Sequence, residues 1–287
     1  MKKTVHHRVG EQPWVRRTLI GLALLVTLVM LVIPLVVIFA EAFSAGWDKY
    51  AANLLEETTL HAIGLTLFVA ALTVPINLVF GVALAWAVTR FQFPGRRLLI
   101  TLIDIPFAVS PVVAGLLYLL LYGNNGWLGG WLSEYGVQLM FSWPGIVMVT
   151  VFVTCPFVAR ELIPLMQQQG SEEEEAGVVL GASGWRLFRK VTLPNIKWAL
   201  IYGVVLTNAR AVGEFGAVSV VSGNIRGETN TLPLQVELLY QDYNIVGAFA
   251  AASLLAGIAI LTLAIKAFVE WRQAREDDQV PAIREQT

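Results

Sequence analysis

Long apolar runs, separated by short charged connections, dominate the chain. Crossing about 30 Å of hydrocarbon takes roughly 20 apolar residues in a helix. Runs of that order are Leu19 to Ala40, Leu60 to Thr89, Leu98 to Tyr122, Trp143 to Ala159, Trp198 to Val221 and Ile245 to Ile265. The first holds no charge, and the third carries Asp104 near its start. The fourth is short and is expected to continue past Arg160. The fifth contains Arg210 and Glu214, and Lys266 follows the sixth, where it can snorkel outward. The pattern predicts an all-α membrane protein of six transmembrane helices with both termini on one side.

Composition narrows this reading. The 287 residues are 56% hydrophobic and only 14% charged, about half the charged share of an ordinary globular domain. Mean hydropathy is +0.65. Twenty basic residues face 21 acidic ones, without the basic excess of a nucleic-acid binder. Three His and one Cys leave little for a metal site and exclude an intramolecular disulfide.

Loop charges set the orientation. Basic residues crowd the N-terminal tail (Lys2, Lys3, Arg8, Arg16, Arg17), the second-to-third connection (Arg90, Arg96, Arg97), the fourth-to-fifth connection (Arg160, Arg186, Arg189, Lys190, Lys197) and the C-terminal end (Lys266, Arg272, Arg275, Arg284). The opposite loops hold Lys49 and Arg226. The first side is therefore expected to be cytoplasmic, with both termini on it. Residues 1–17 read as a cytoplasmic tail, 18–270 as the membrane domain and 271–287 as a loose cytoplasmic tail.

Ala40-Glu41-Ala42 resembles a signal-peptidase site, but the apolar run before it exceeds the roughly 7–15 residues of a signal h-region. The first span is thus expected to be retained. Pro34, Pro75, Pro106, Pro111 and Pro156 fall in spans and are expected to kink them, neighbouring helices satisfying the freed carbonyls. No internal repeat of 20–50 residues is apparent.

The polar connection at about 167–197 is the most informative segment. Ser171 with Glu174 three residues on has capping-box spacing. Glu172 to Glu175 would fill a first helical turn, where the dipole favours negative charge. Gly181 and Gly184 would end or bend this short helix. A second amphipathic stretch follows from Trp185 to Val191, and Leu193-Pro194 is expected to stop it before the fifth span. By its residues alone this hairpin either lies solvated on the membrane, with Arg186, Arg189 and Lys190 at headgroups, or docks a cytoplasmic protein.

Glu175-Ala176-Gly177, then Gly181-Ala182, then Val191-Thr192-Leu193-Pro194 resembles the EAA loop of ABC importer permeases. That pattern is Glu-Ala-Ala, three residues, Gly, nine residues, an aliphatic residue, any residue and Leu-Pro. Every spacing matches, with Gly177 for the second Ala and Val191 for the usual Ile. Ala209 to Gly216, Ser222 to Ile225, Thr231 to Leu234 and Pro106 to Gly115 are similar to the sulfate/molybdate branch of these permeases.

The resemblance implies a permease-like fold with a coupling helix between spans four and five. It also implies a heterodimer with a second, T-type permease, two copies of a cytoplasmic ATPase and a periplasmic sulfate/thiosulfate-binding protein. ATP and Mg would be bound by the ATPase, and no cofactor by this chain. Glu175, Ala176, Gly177, Gly181, Ala182, Leu193 and Pro194 are the candidate coupling residues.

Arg210 and Glu214, four apart, would share one helix face. A charge at a helix centre costs about 2.5–3.5 kcal/mol on insertion scales, so both must point into protein or a wet cavity. They either pair structurally, line the anion path, or do both. Ser110, Ser219 and Ser222 could donate to sulfate oxygens, though span serines more often bond backbone or bridge helices. Asp104 is expected at solvent or headgroups, His61 at the interface, and Cys155 in packing.

There is no Gly-x-x-x-x-Gly-Lys-Ser/Thr phosphate loop, and no lysine follows a glycine anywhere. No His-Glu-x-x-His or nucleophile-elbow pattern appears. The chain reads as a non-catalytic pore subunit importing sulfate or thiosulfate. The rivals are a sibling permease for molybdate, tungstate or another oxyanion, and a stand-alone secondary transporter or channel.

Overall fold

The computed structural model describes residues 13–284, with side chains from 14 to 272; Lys2, Lys3 and Arg8 of the N-terminal tail lie outside the described residues. Among the described residues the structure is helical throughout, without strands. We number the helices α1 (Trp14–Phe43), α2 (Trp47–Leu54), α3 (Glu57–Arg90), α4 (Arg96–Ala108), α5 (Pro111–Tyr122), α6 (Gly129–Glu134), α7 (Trp143–Gln169), α8 (Glu172–Val179), α9 (Gly184–Val212), α10 (Gly216–Ser222), α11 (Leu232–Gln241) and α12 (Ile245–Arg284). Four of them are long and apolar enough to cross a membrane unaided: α1, α3, α7 and α12. Counting the bent pairs α4–α5 and α9–α10 as one span each gives six.

The third and fifth spans are therefore not the continuous helices the apolar runs suggest. The α4–α5 pair bends by 105°. Val109 (ψ 132°) and Ser110 (ψ 135°) are extended ahead of Pro111, a conformation that the clash of a proline ring favours for Ser110, the residue just before it. The α9–α10 pair bends by 51° across residues 213–215. The fourth span runs on past Arg160 to Gln169, as expected. The backbone of α12 stays helical to Arg284 rather than loosening after Trp271.

Two widened, π-type turns, Leu28–Val32 and Phe188–Thr192, each stand just before an X-Pro step, Ile33-Pro34 and Leu193-Pro194. Proline has no N–H and its ring presses on the carbonyl four residues back. A wider turn relieves that contact without ending the helix. Leu193-Pro194 thus does not stop the helix; α9 passes straight through it.

The centre of the bundle is α7. Of its most apolar window 56% is buried, against 0% for α1. Val158 of α7 wedges between two glycines: a Cβ on Gly81 of α3 would lie 2.6 Å from the Val158 Cβ, and one on Gly203 of α9 would lie 3.1 Å from its Cα. Lipid chains are as apolar as side chains, so close backbone approach and hydrogen bonds must hold the helices together. Asn77 of α3 accordingly donates to Thr154 Oγ1 of α7 at 2.7 Å, with both residues fully buried. The Leu232 N–H of α11 donates to Thr66 Oγ1 of α3 at 2.7 Å, and Gln235 donates to Thr59 Oγ1 at 3.3 Å.

Candidate functional site

The segment between α7 and α9 is a built platform. Its short helix α8 starts with Glu172 to Glu175 in the first turn. The capping box expected from Ser171 and Glu174 does not form. Ser171 makes no side-chain cap bond; its hydroxyl donates to Glu175 Oε1 at 2.5 Å. Glu174 turns inward instead. Its carboxylate pairs with Arg90 Nε at the end of α3 and accepts from Thr192 Oγ1 at 2.7 Å. Arg90 also donates to the Met166 carbonyl of α7 at 3.1 Å. Asn195 donates to Glu173 Oε2 at 2.5 Å, and Gln169 donates to the Asn195 carbonyl at 3.1 Å. The acidic run is thus a clasp on two neighbouring elements, α3 and α9, around a polar cleft of about 210 Å³.

The far end of α8 closes in a Schellman motif: Ala182 N–H donates to Gly177 O at 3.0 Å and Gly181 N–H to Val178 O at 2.9 Å. Gly181 adopts φ +79° with no atom within 4 Å of where its Cβ would stand. Glycine is needed there for backbone conformation, not for space. At Gly177 a Cβ would meet a single atom, the Leu187 Cδ1 methyl at 2.5 Å, which a side-chain rotation can move aside. The turn leaves Val178, Val179 and Leu180 projecting, the latter two both 86% exposed. Trp185 is exposed too, stacked on Phe188, which leans on Trp86 of α3.

The residues expected from the sequence to couple therefore separate into layers. Glu175, Ala176 and Gly181 are exposed, Gly177, Ala182 and Leu193 are half-buried, and Pro194 is exposed on α9. Sequence reading missed Arg90 and Thr192 as parts of the platform. Arg90 stood out only as one basic residue among several, and its partner Glu174 lies far along the chain, in the connection between the fourth and fifth spans.

The second group surrounds the break in the fifth span. Arg210 ends α9, and Glu214 lies in the non-helical link, so one continuous helix face does not carry both. They still pair, Arg210 to Glu214 Oε2 at 2.7 Å. Glu214 Oε1 accepts the Ala217 N–H of α10 at 3.0 Å. The Glu214 side chain is 1% exposed and that of Arg210 is 35% exposed. The carboxylate is inside the protein and the guanidinium reaches outward.

Ser219 and Ser222 share α10, whereas Ser110 lies on another element. Ser219 is half-buried and donates to Gly216 O at 2.9 Å; Ser222 is fully buried and bonds Asn224. Ser110 is exposed at the break between α4 and α5. Gly223 and Asn224, both at positive φ, form the turn their residue types suggest. Asp104 is half-exposed, 3.6 Å from Arg160, and His61 is exposed. Among the described residues no group of His, Cys, Asp and Glu is arranged to hold a metal ion.

Residues 77–275 match the family model described as the binding-protein-dependent transport system inner membrane component. The sulfate transport system permease protein CysW of Escherichia coli (strain K12) is 63% identical over 264 residues, covering 92% of this chain and 91% of that protein. CysW of Synechocystis sp. (strain PCC 6803) is 49% identical, covering 90% and 94%. The sulfate transport system permease protein CysT of E. coli (strain K12) is 36% identical, covering 85% and 88%. Among solved structures, a bacterial ABC transporter involved in import of the acidic polysaccharide alginate superposes with a TM-score of 0.74 at 18% identity, covering 91% of this chain and 96% of that one. The same fold is matched, again at TM-score 0.74, in its complex with an alginate pentasaccharide-bound periplasmic protein. That likeness is one of fold.

Proposed function

Because this chain belongs to the binding-protein-dependent transport system inner membrane components, we propose that it is the permease subunit of an ATP-driven importer that carries sulfate and thiosulfate across the bacterial inner membrane. It is a multi-pass pore subunit without catalysis of its own. ATP and Mg bind to two copies of a cytoplasmic ATPase, a T-type permease completes the pore, and a periplasmic protein delivers the anion. Both termini face the cytoplasm, the side favoured by the basic connections.

The observation that carries this reading is the projecting apolar tip Val178–Leu180, held out from the membrane domain on a hydrogen-bonded platform. A hairpin resting in water gains nothing from exposing such residues on a rigid support, whereas a small apolar knob suits a groove on a cytoplasmic protein. The sulfate assignment rests on the relatives, one of them 63% identical. It is favoured over molybdate or tungstate, and over a stand-alone transporter.

In this reading ATP-driven closure of the ATPases moves α8, and the spans rock between states whose populations each ligand biases. Arg210 offsets part of the dianion's charge near the path. Glu214 holds that guanidinium and keeps its attraction weak, since a transporter must release what it binds. Ser110 is the serine whose exposure best suits contact with the substrate. The experiment is isolation of the native complex with its partners, followed by uptake of labelled sulfate in competition with thiosulfate and molybdate. Sulfate uptake blocked by thiosulfate supports the assignment; molybdate uptake indifferent to sulfate overturns it.

A further inference from the structure

We propose that Arg90 is the positioning residue through which movement of the coupling helix α8 reaches the second span, α3. The proposal rests on the reading of the chain as an importer permease. It assigns a role to a residue outside the EAA loop and outside the anion path.

The geometry is that of a joint. Arg90 is the last residue of α3. Its guanidinium pairs with Glu174 of α8 and donates to the Met166 carbonyl of α7 at 3.1 Å. Thr192 of α9 bonds the same carboxylate at 2.7 Å. One side chain thus gathers the ends of three spans under the platform. The Arg90 and Glu174 side chains are 13% and 11% exposed, too enclosed for a solvated surface pair.

The acidic first turn of α8 needs no such partner for its own sake, since helix-dipole stabilisation is available in open solvent. Chain connectivity already ties α8 to α7 and α9. It does not tie α8 to α3, whose remaining contacts at this end are mainly apolar, Leu84, Ala85 and Val88 against Val158, Ala159 and Leu162, with a 3.8 Å contact from the Thr89 hydroxyl to the Met166 sulfur. Apolar contacts are non-directional and allow sliding. The Arg90 guanidinium adds a charge-based tie: it is ion-paired with the enclosed Glu174 carboxylate and oriented by its hydrogen bond to the Met166 carbonyl. The other end of α3 holds α11 through Thr59 and Thr66. A push on α8 that reaches Arg90 therefore has a path to the opposite face of the membrane along one continuous helix, Glu57–Arg90.

The test uses the complete complex, with the partner permease, the ATPase and the binding protein, reconstituted in liposomes. Arg90→Gln and Glu174→Gln are compared with wild type for basal ATP hydrolysis, for its stimulation by the sulfate-loaded binding protein, and for the ATP-induced distance change of a spin label on α3. Both variants are expected to keep basal hydrolysis within about twofold. Both are expected to lose most of the stimulation, about tenfold for Arg90→Gln, and to lose the movement of α3. Wild-type stimulation or undiminished α3 movement in either variant overturns the proposal. Failure of both variants to assemble with the ATPase also overturns it, since the pair would then serve folding alone. Absence of sulfate stimulation in the wild type would instead count against the substrate reading. The spin-label measurement needs no substrate and still decides the role of Arg90.

Discussion

Arg210 and Glu214 face each other at 2.7 Å across a break in the fifth span, one side chain a third exposed and the other enclosed. The asymmetry separates their duties. Glu214 also accepts the Ala217 N–H, so it fixes the start of α10 as well as the guanidinium. Removing Arg210 leaves the enclosed Glu214 carboxylate without its counter-charge, which is destabilising even though the guanidinium itself is partly solvated.

Arg210→Gln alone is therefore expected to lower the melting temperature of the purified complex. The double variant Arg210→Gln/Glu214→Gln is expected to recover most of that loss yet to transport sulfate at a small fraction of the wild-type rate. Melting curves and labelled uptake on the same preparations separate the two effects. Full transport by the stable double variant would remove Arg210 from the path.

Val179 and Leu180 contact little of their own chain, so Leu180→Asp is expected to leave insertion and stability unchanged, within about 0.5 kcal/mol. Presenting a charge to an apolar groove should nevertheless weaken capture of the ATPase at least tenfold. Co-purification of the ATPase from membranes with equal permease content checks this.

Gly181 is required for its left-handed backbone. Gly181→Val should destabilise the turn by about 1–2 kcal/mol and reduce ATPase co-purification with insertion intact. Gly181→Asn should be milder, because asparagine visits that conformation. Equal yields for all three proteins would show that the turn tolerates change.

Gly81 tests packing within the membrane. A Cβ there stands 2.6 Å from the Cβ of Val158, and overpacking of this kind costs about 1–3 kcal/mol. Gly81→Ala is expected to lower thermal stability in detergent, and adding Val158→Ala should restore part of it. Additive losses would deny the contact.

The long apolar runs were legible because the bilayer demands them: α1, α3, α7 and α12 follow from residue type and length alone. The platform was legible in outline, since Glu172 to Glu175 and Gly181 bracket α8 by local chemistry. What escaped was set at long range. Glu174 has capping-box spacing, but a buried pairing with Arg90 and a bond from Thr192 outweigh a bond back to the Ser171 N–H. Leu193-Pro194 looks like a stop, yet a widened turn carries the helix through. The fifth span reads as continuous, because nothing in the spacing of Arg210 and Glu214 reveals that the latter sits in a bend.

If this polypeptide is an importer permease, it is driven from outside, through α8. The most direct measurement is sulfate accumulation in liposomes containing the two permeases, with binding protein outside, compared with and without the ATPase and with Leu180→Asp. Accumulation should require the ATPase and internal ATP, and should fall at least tenfold in the variant. Uptake that persists without the ATPase, driven by an ion gradient, would contradict the account.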